Sequence, residues 1–207
     1  MRVAAVQLNS TPDVAGNLET IDRLLSKAAE QGARIAVLPE NFACMPERGR
    51  DKNRIAEDEG DGPIQAFLKS RGREYGLWII GGSLPLKSPD AERVYGATVV
   101  VDSDGNQQAV YRKVHLFDVA IEGQAPIGES KRFAPGEAAV MLDTPWGPWG
   151  LSICYDLRFP ELFRIADGHV SHDNVGVARG AQSDSHEPDP GPEPERDGID
   201  EGRIVGP

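Results

Sequence analysis

Cysteine is scarce in this chain, with only Cys44 and Cys154 among 207 residues. Two thiols build no disulfide framework, and each is available as core filler or as a nucleophile. A reducing, cytoplasmic compartment is the simplest expectation. Long apolar runs are missing too, and none approaches the roughly 20 residues of a membrane span. The opening residues, Met1-Arg2-Val3-Ala4-Ala5-Val6-Gln7-Leu8, lack the apolar core and small-residue cleavage site of a signal peptide. Basic residues are outnumbered, with 22 Lys and Arg against 33 Asp and Glu and a net charge of -11. Neither nucleic acid nor an anionic membrane is therefore the expected partner. No Gly-x-Gly-x-x-Gly loop and no Gly-x-Ser-x-Gly elbow occurs, so dinucleotide binding and serine-hydrolase chemistry have no motif to stand on.

The acidity is unevenly spread. Residues 167–207 carry 10 acidic and 3 basic side chains, 7 Gly and 5 Pro, and no Leu, Phe, Tyr, Trp or Met. Such a stretch buries too little apolar area to offset its ordering entropy. The chain is accordingly divided into a domain over 1–167 and an acidic Pro/Gly-rich tail over 168–207, expected to be disordered. His169 and His172 in that tail have a spacing compatible with metal. Carboxylate or thiol ligands at matched spacing are absent, so no metal is expected.

What remains reads as alternating strands and helices. Val3-Ala4-Ala5-Val6-Gln7-Leu8 is a short buried strand. Asn17 is the expected cap of a helix whose Leu18, Ile21, Leu24, Leu25 and Ala28 share a face, with Gly32 as its stop. Ile35-Ala36-Val37-Leu38 is a second buried strand, ending at Pro39-Glu40. Residues 44–62 read as a long loop. Pro63 opens another helix and Gly76 ends it. Residues 77–86 read as one strand. Residues 94–101 and 107–115 form a hairpin around Asp102-Ser103-Asp104-Gly105-Asn106, and 138–143 and 149–154 a second one. A short helix follows over 161–166. Helix crossovers mixed with hairpins predict an α/β domain with a mixed sheet.

Single residues suggest chemistry only weakly. Cys154 ends an apolar strand just before a helix, where a helix N-terminus and nearby cations would lower a thiol's pKa. A buried core cysteine fits the same position. Glu40, also at a strand end, suits a general base or a solvated loop. Lys113 suits an oxyanion partner or an exposed strand residue. His115 suits a base or a hydrogen-bonded structural role.

Together these residues carry a resemblance. The opening strand, Ala36-Val37-Leu38-Pro39-Glu40, Tyr111-Arg112-Lys113-Val114-His115-Leu116, and Ile153-Cys154-Tyr155-Asp156-Leu157-Arg158-Phe159-Pro160-Glu161 resemble the nitrilase, or carbon–nitrogen hydrolase, superfamily over residues 1–167. Gly123-Gln124-Ala125-Pro126-Ile127-Gly128-Glu129-Ser130-Lys131 is similar to the omega-amidase and deaminated-glutathione-amidase branch. The resemblance implies a nitrilase-like αββα sandwich with mixed sheets. It implies Glu40 as base, Lys113 and a backbone N–H near residue 155 as oxyanion partners, and Cys154 as nucleophile. Glu129 would position the substrate or Lys113. Tyr155 and Arg158 would support the substrate, although Arg158 could equally pair with Asp156 or Glu161. The substrate would be a small carboxylic-acid amide that releases ammonia through a thioester, with no cofactor, in a homo-oligomer.

The resemblance stops at Ile165-Ala166-Asp167-Gly168. A truncation or frameshift there is expected to leave the sandwich incomplete at its C-terminus. The strand bearing Cys154 would then have unpaired backbone groups. The alternative function is an inactive remnant. If another reading frame near codon 167 encodes family-like strands, the tail is a frameshift product; its absence would count against that origin.

Overall fold

The computed structural model describes residues 1–45, 51–120, 127–167 and 175–177. Strand β1 (Val3–Ala5) leads through α1 (Val14–Glu30) to β2 (Ile35–Val37). The short α2 (Asp51–Arg54) and α3 (Pro63–Tyr75) precede β3 (Trp78–Ile80), β4 (Leu84–Lys87), β5 (Val94–Val101) and β6 (Gln107–Arg112). These strands make one mixed sheet. β1, β2 and β3 are parallel, and β5 runs antiparallel to β3. β4 continues along the same edge of β5, and β6 pairs with its other edge. A two-stranded ribbon, β7 (Asp118–Val119) and β8 (Ile127–Gly128), follows. A second sheet contains the hairpin β9 (Met141–Thr144) and β10 (Gly147–Ile153). After α4 (Pro160–Asp167), β11 (Val175–Val177) pairs in parallel with Leu151–Ile153.

Two cores define the layers. One joins Ile21, Leu25 and Ala28 of α1 and Ile64 and Leu68 of α3 to Ala36, Ile79, Ala97 and Val99 of the first sheet. The other lies between the sheets, where Ile35, Trp78, Ile80, Val100 and Tyr111 meet Leu142, Trp149, Leu151 and Ile153. β5 alternates between them, with Val99 in the first core and Val100 in the second, as the period of a strand requires. Each fully buried Leu or Ile contributes about 1.5–3 kcal/mol.

Several expectations are corrected locally. Asn17 does not cap α1; Asp13 does, accepting from the Ala15 N–H at 3.1 Å. Asn17 lies inside the helix, buried, and its amide donates to the carbonyls of Thr11 (2.8 Å) and Ala43 (2.9 Å). The loop over 44–62 contains α2 and a buried acid, Glu57, whose carboxylate accepts from the Ile64 (2.5 Å) and Gln65 (3.0 Å) N–H groups in the first turn of α3. Strand β6 stops at Arg112, so Lys113 lies just beyond it. Pairing with β11 also means that the edge of β10 at Leu151–Ile153 is not left open. Val175-Gly176-Val177 supplies that partner from within the expected tail. The rest of that tail, including His169 and His172, lies outside the described residues.

The single strand expected over 77–86 is broken into β3 and β4 by Gly81-Gly82-Ser83. Gly82 has φ 45°, and a Cβ on it would lie 2.0 Å from the Pro39 carbonyl oxygen. The chain bends there because the turn carrying Glu40 passes directly over it. The Ser83 hydroxyl then accepts from the Asn41 N–H at 2.9 Å. Gly82→Ala should cost about 1–3 kcal/mol in urea unfolding, from strain and close approach. A variant as stable as the parent would mean that this approach does not constrain the turn.

Candidate active site

Three side chains meet just past the ends of three strands. Glu40 follows β2, Lys113 follows β6 and Cys154 follows β10. The Glu40 turn is held from several sides. Asn17 grips the Ala43 carbonyl, Ser83 grips the Asn41 N–H, and the Ser10 hydroxyl donates to the Phe42 carbonyl at 3.3 Å. Lys113 is clipped at its backbone, its N–H donating to the Gly96 carbonyl and its carbonyl accepting from the Gly136 N–H, each at 2.8 Å. Asn41 (φ 58°) and Cys154 (φ 49°) are the two non-glycine residues with positive φ among the described residues. Both border the cluster, where such strain persists only because surrounding contacts hold it.

The Lys113 ammonium is buried between two carboxylates. It donates to Glu40 Oε1 at 3.2 Å and to Glu129 Oε1 and Oε2 at 3.1 and 2.9 Å. Glu129 begins the short 3₁₀ turn Glu129–Lys131 and is fixed in turn by the Phe117 N–H, which donates to its Oε2 at 2.6 Å. Burial disfavours the charge on Lys113, but the two carboxylates outweigh it and hold its pKa above the ordinary lysine value. The second glutamate thus stands against the lysine.

Cys154 begins the 3₁₀ turn Cys154–Arg158, and its thiol is half-buried within hydrogen-bonding reach of Glu40. Sequence position leaves two readings open, a thiol made acidic by a helix end and cations or a buried cysteine, and the structure favours burial. Burial first, and the Glu40 charge second, push its pKa up to about 11, with Lys113 opposing only in part. The thiol therefore rests protonated, beside a carboxylate placed to receive its proton.

Tyr155 packs its ring edge-on against Phe117 and Phe159, with centroids 4.9 and 5.3 Å apart. Arg158 is exposed. It does not pair with Asp156, whose oxygens are taken by Tyr111, His115 and the Ile153 N–H, and Glu161 faces Arg164 at 3.7 Å. His115 is hydrogen-bonded to Asp156, in keeping with a structural role.

Sequence reasoning missed Lys52. It lies in α2, its ammonium donates to Asn41 Oδ1 at 2.6 Å, and it stands over the Phe133 ring at 4.5 Å. Burial lowers its pKa to about 8 against the pull of Glu40 and Glu129. A lone lysine in an apparently featureless polar loop carried no signal for this. Among the described residues, no group of three or more His, Cys, Asp or Glu could hold a metal ion, and no helix is long and apolar enough to cross a membrane.

The family profile described as carbon-nitrogen hydrolase matches residues 2–171. The chain belongs to the carbon–nitrogen hydrolase family. Bos taurus deaminated glutathione amidase is 38% identical over 164 residues, covering 77% of this chain and 50% of that protein. Omega-amidase NIT3 of Saccharomyces cerevisiae is 32% identical over 171 residues, covering 80% and 59%. An amidase from Nesterenkonia sp. AN1, solved with acrylamide added to its active-site cysteine, matches with a TM-score of 0.73 at 26% identity, covering 89% of this chain and 69% of that one. The sandwich is thus the nitrilase fold. The chain spans about half the length of the first curated relatives it matches.

Because Glu40 raises the thiol's pKa, Glu40→Gln should move it down from about 11 toward the ordinary 9.0. The pH dependence of Cys154 alkylation, read from the mass of its peptide, measures this. An unmoved or raised midpoint would contradict the assigned contact.

Proposed function

We propose that this family member hydrolyses the amide of a small carboxylic acid through a thioester on Cys154, releasing ammonia. The observation that carries the reading is the convergence of a protonated thiol, a carboxylate in reach of it and a buried ammonium. Glu40 takes the proton from Cys154 Sγ as sulfur bonds to the amide carbon. The oxygen that becomes negative is met by the Lys113 ammonium and the backbone N–H of Tyr155. Such donors are typically worth about 3–4 kcal/mol in the barrier. Glu40 returns the proton to nitrogen, the C–N bond breaks and ammonia leaves. Water, giving a proton to Glu40, then attacks the thioester; the acid departs and the thiol recovers its proton. Glu129 keeps Lys113 oriented throughout. The reducing interior of a cell is the proposed setting, since it keeps the thiol free.

Lys52 supports a substrate carrying its own carboxylate. An anion entering beside Glu40 and Glu129 needs a cation, and Lys113 is already shared by both acids. The acceptor of the Lys52 ammonium on Asn41 is neutral, which leaves its charge for a ligand. The relatives named for omega-amidase and deaminated glutathione amidase fit this reading.

Ammonia release from monoamides of short dicarboxylic acids tests the proposal. Activity should fall to background in Cys154→Ala and by at least ~100-fold in Lys113→Ala. Release no higher than that of Cys154→Ala would sink the reading in favour of an inactive relative. Lys52→Met should raise KM about tenfold, roughly 1.4 kcal/mol, and more than Arg158→Met does. With the parent chain, KM should climb as pH rises through about 8, where Lys52 loses its charge.

A further inference from the structure

Asp156 stands two residues past Cys154 and is completely buried. Four donors converge on its carboxylate. Oδ2 accepts from the Tyr111 hydroxyl at 2.7 Å and from the Ile153 N–H at 2.9 Å. Oδ1 accepts from the His115 N–H at 2.9 Å and lies 2.8 Å from His115 Nδ1. A carboxylate oxygen only accepts, so His115 carries a proton on Nδ1. The Tyr111 oxygen in turn accepts from the Val114 N–H at 3.3 Å.

These donors come from two places that matter. Tyr111 and His115 flank Lys113, two residues before it and two after. Ile153 immediately precedes Cys154. An aspartate serving only its own turn would need the Ile153 N–H alone. Here the same side chain also reaches 45 and 41 positions back along the chain. His115 adds a second tie, its ring stacked on Phe159 with centroids 3.7 Å apart, and Phe159 closes the Cys154 turn. The hydrolysis proposed above uses none of these groups as reactants.

We propose that Asp156 is a positioning residue, binding the Lys113 segment to the Cys154 turn through Tyr111 and His115 so that thiol, carboxylate and ammonium keep one arrangement. As an account of catalysis it rests on the amidase reading, but the geometry is testable without turnover. Asp156→Asn replaces one acceptor oxygen with a donor, so four converging donors can no longer all be accepted. Tyr111→Phe removes a single hydroxyl and keeps the ring in the core.

The experiment uses the full chain and follows iodoacetamide labelling of Cys154 against pH, by the mass of its peptide, beside thermal unfolding. Loosening the turn hydrates the thiol and draws it away from Glu40, so its midpoint should fall from about 11 toward 9.0 in both variants, further in Asp156→Asn. On a monoamide substrate, kcat should drop about tenfold while KM stays within about twofold. If Asp156→Asn does not fold, Tyr111→Phe decides alone. An unmoved midpoint in the folded variants, with only the melting temperature lowered, would overturn the proposal and leave the network purely structural. Failure of the amidase reading shows separately, as no ammonia from the parent chain.

Discussion

A lysine ammonium buried between two carboxylates is the constraint around which the rest is arranged. Lys113 and Glu40 are buried away from bulk water and Glu129 is only partly exposed, so each carboxylate depends on the ammonium and the ammonium on both. Lys113 comes from the end of a strand in the first sheet, Glu40 from the end of another, and Glu129 from a turn after the small ribbon. Holding them together requires the fine structure around them: the glycine under the Glu40 turn, the amide of Asn17, and the Phe117 N–H on Glu129. The cluster carries one positive charge between two acids, and it is this imbalance, added to burial, that keeps the neighbouring thiol neutral. In the hydrolysis proposed above, reactivity comes from moving a proton within a fixed frame, not from storing a thiolate.

Much of the frame was legible in the sequence because its signals are local. Pro63 and Gly76 bracket α3 as their backbone preferences dictate, Gly76 in the left-handed region with φ 62°. The β5–β6 hairpin follows its turn residues, with Asp102 accepting from the Asp104 and Asn106 N–H groups. Glu40, Lys113 and Cys154 were each weak signals beside a strand, and only the family resemblance joined them into a set. The places where the reading failed are governed by distant partners. Asn17 looks like a cap, yet it serves the Ala43 carbonyl 26 positions away. Residues 77–86 look like one strand until the Pro39 carbonyl occupies the space beside Gly82. The acidity of Cys154 stays open in the sequence, because a nearby turn and cation are visible there whereas the facing Glu40 is not.

Membership of the carbon–nitrogen hydrolase family agrees with this division. The match runs from β1 through α4 and takes in the site cluster, leaving β11 outside it. Lys52 and Asp156 lie within the match as well, and their surroundings in this structure come from what packs on them: Phe133 and Asn41 in one case, Tyr111 and His115 in the other. The general chemistry is thus written in residue types, and its tuning in contacts.

The placement of the three groups at strand ends has one more implication. Glu40 and Lys113 are 73 positions apart, and the thiol arrives on the opposite sheet. No local segment of the chain contains the site, so it comes into being only when both sheets have closed on each other. Before that, Cys154 is an ordinary thiol in water. Its unusual proton affinity is a property of the assembled tertiary structure, and the solvent within reach of sulfur is a measure of how completely the two sheets have met.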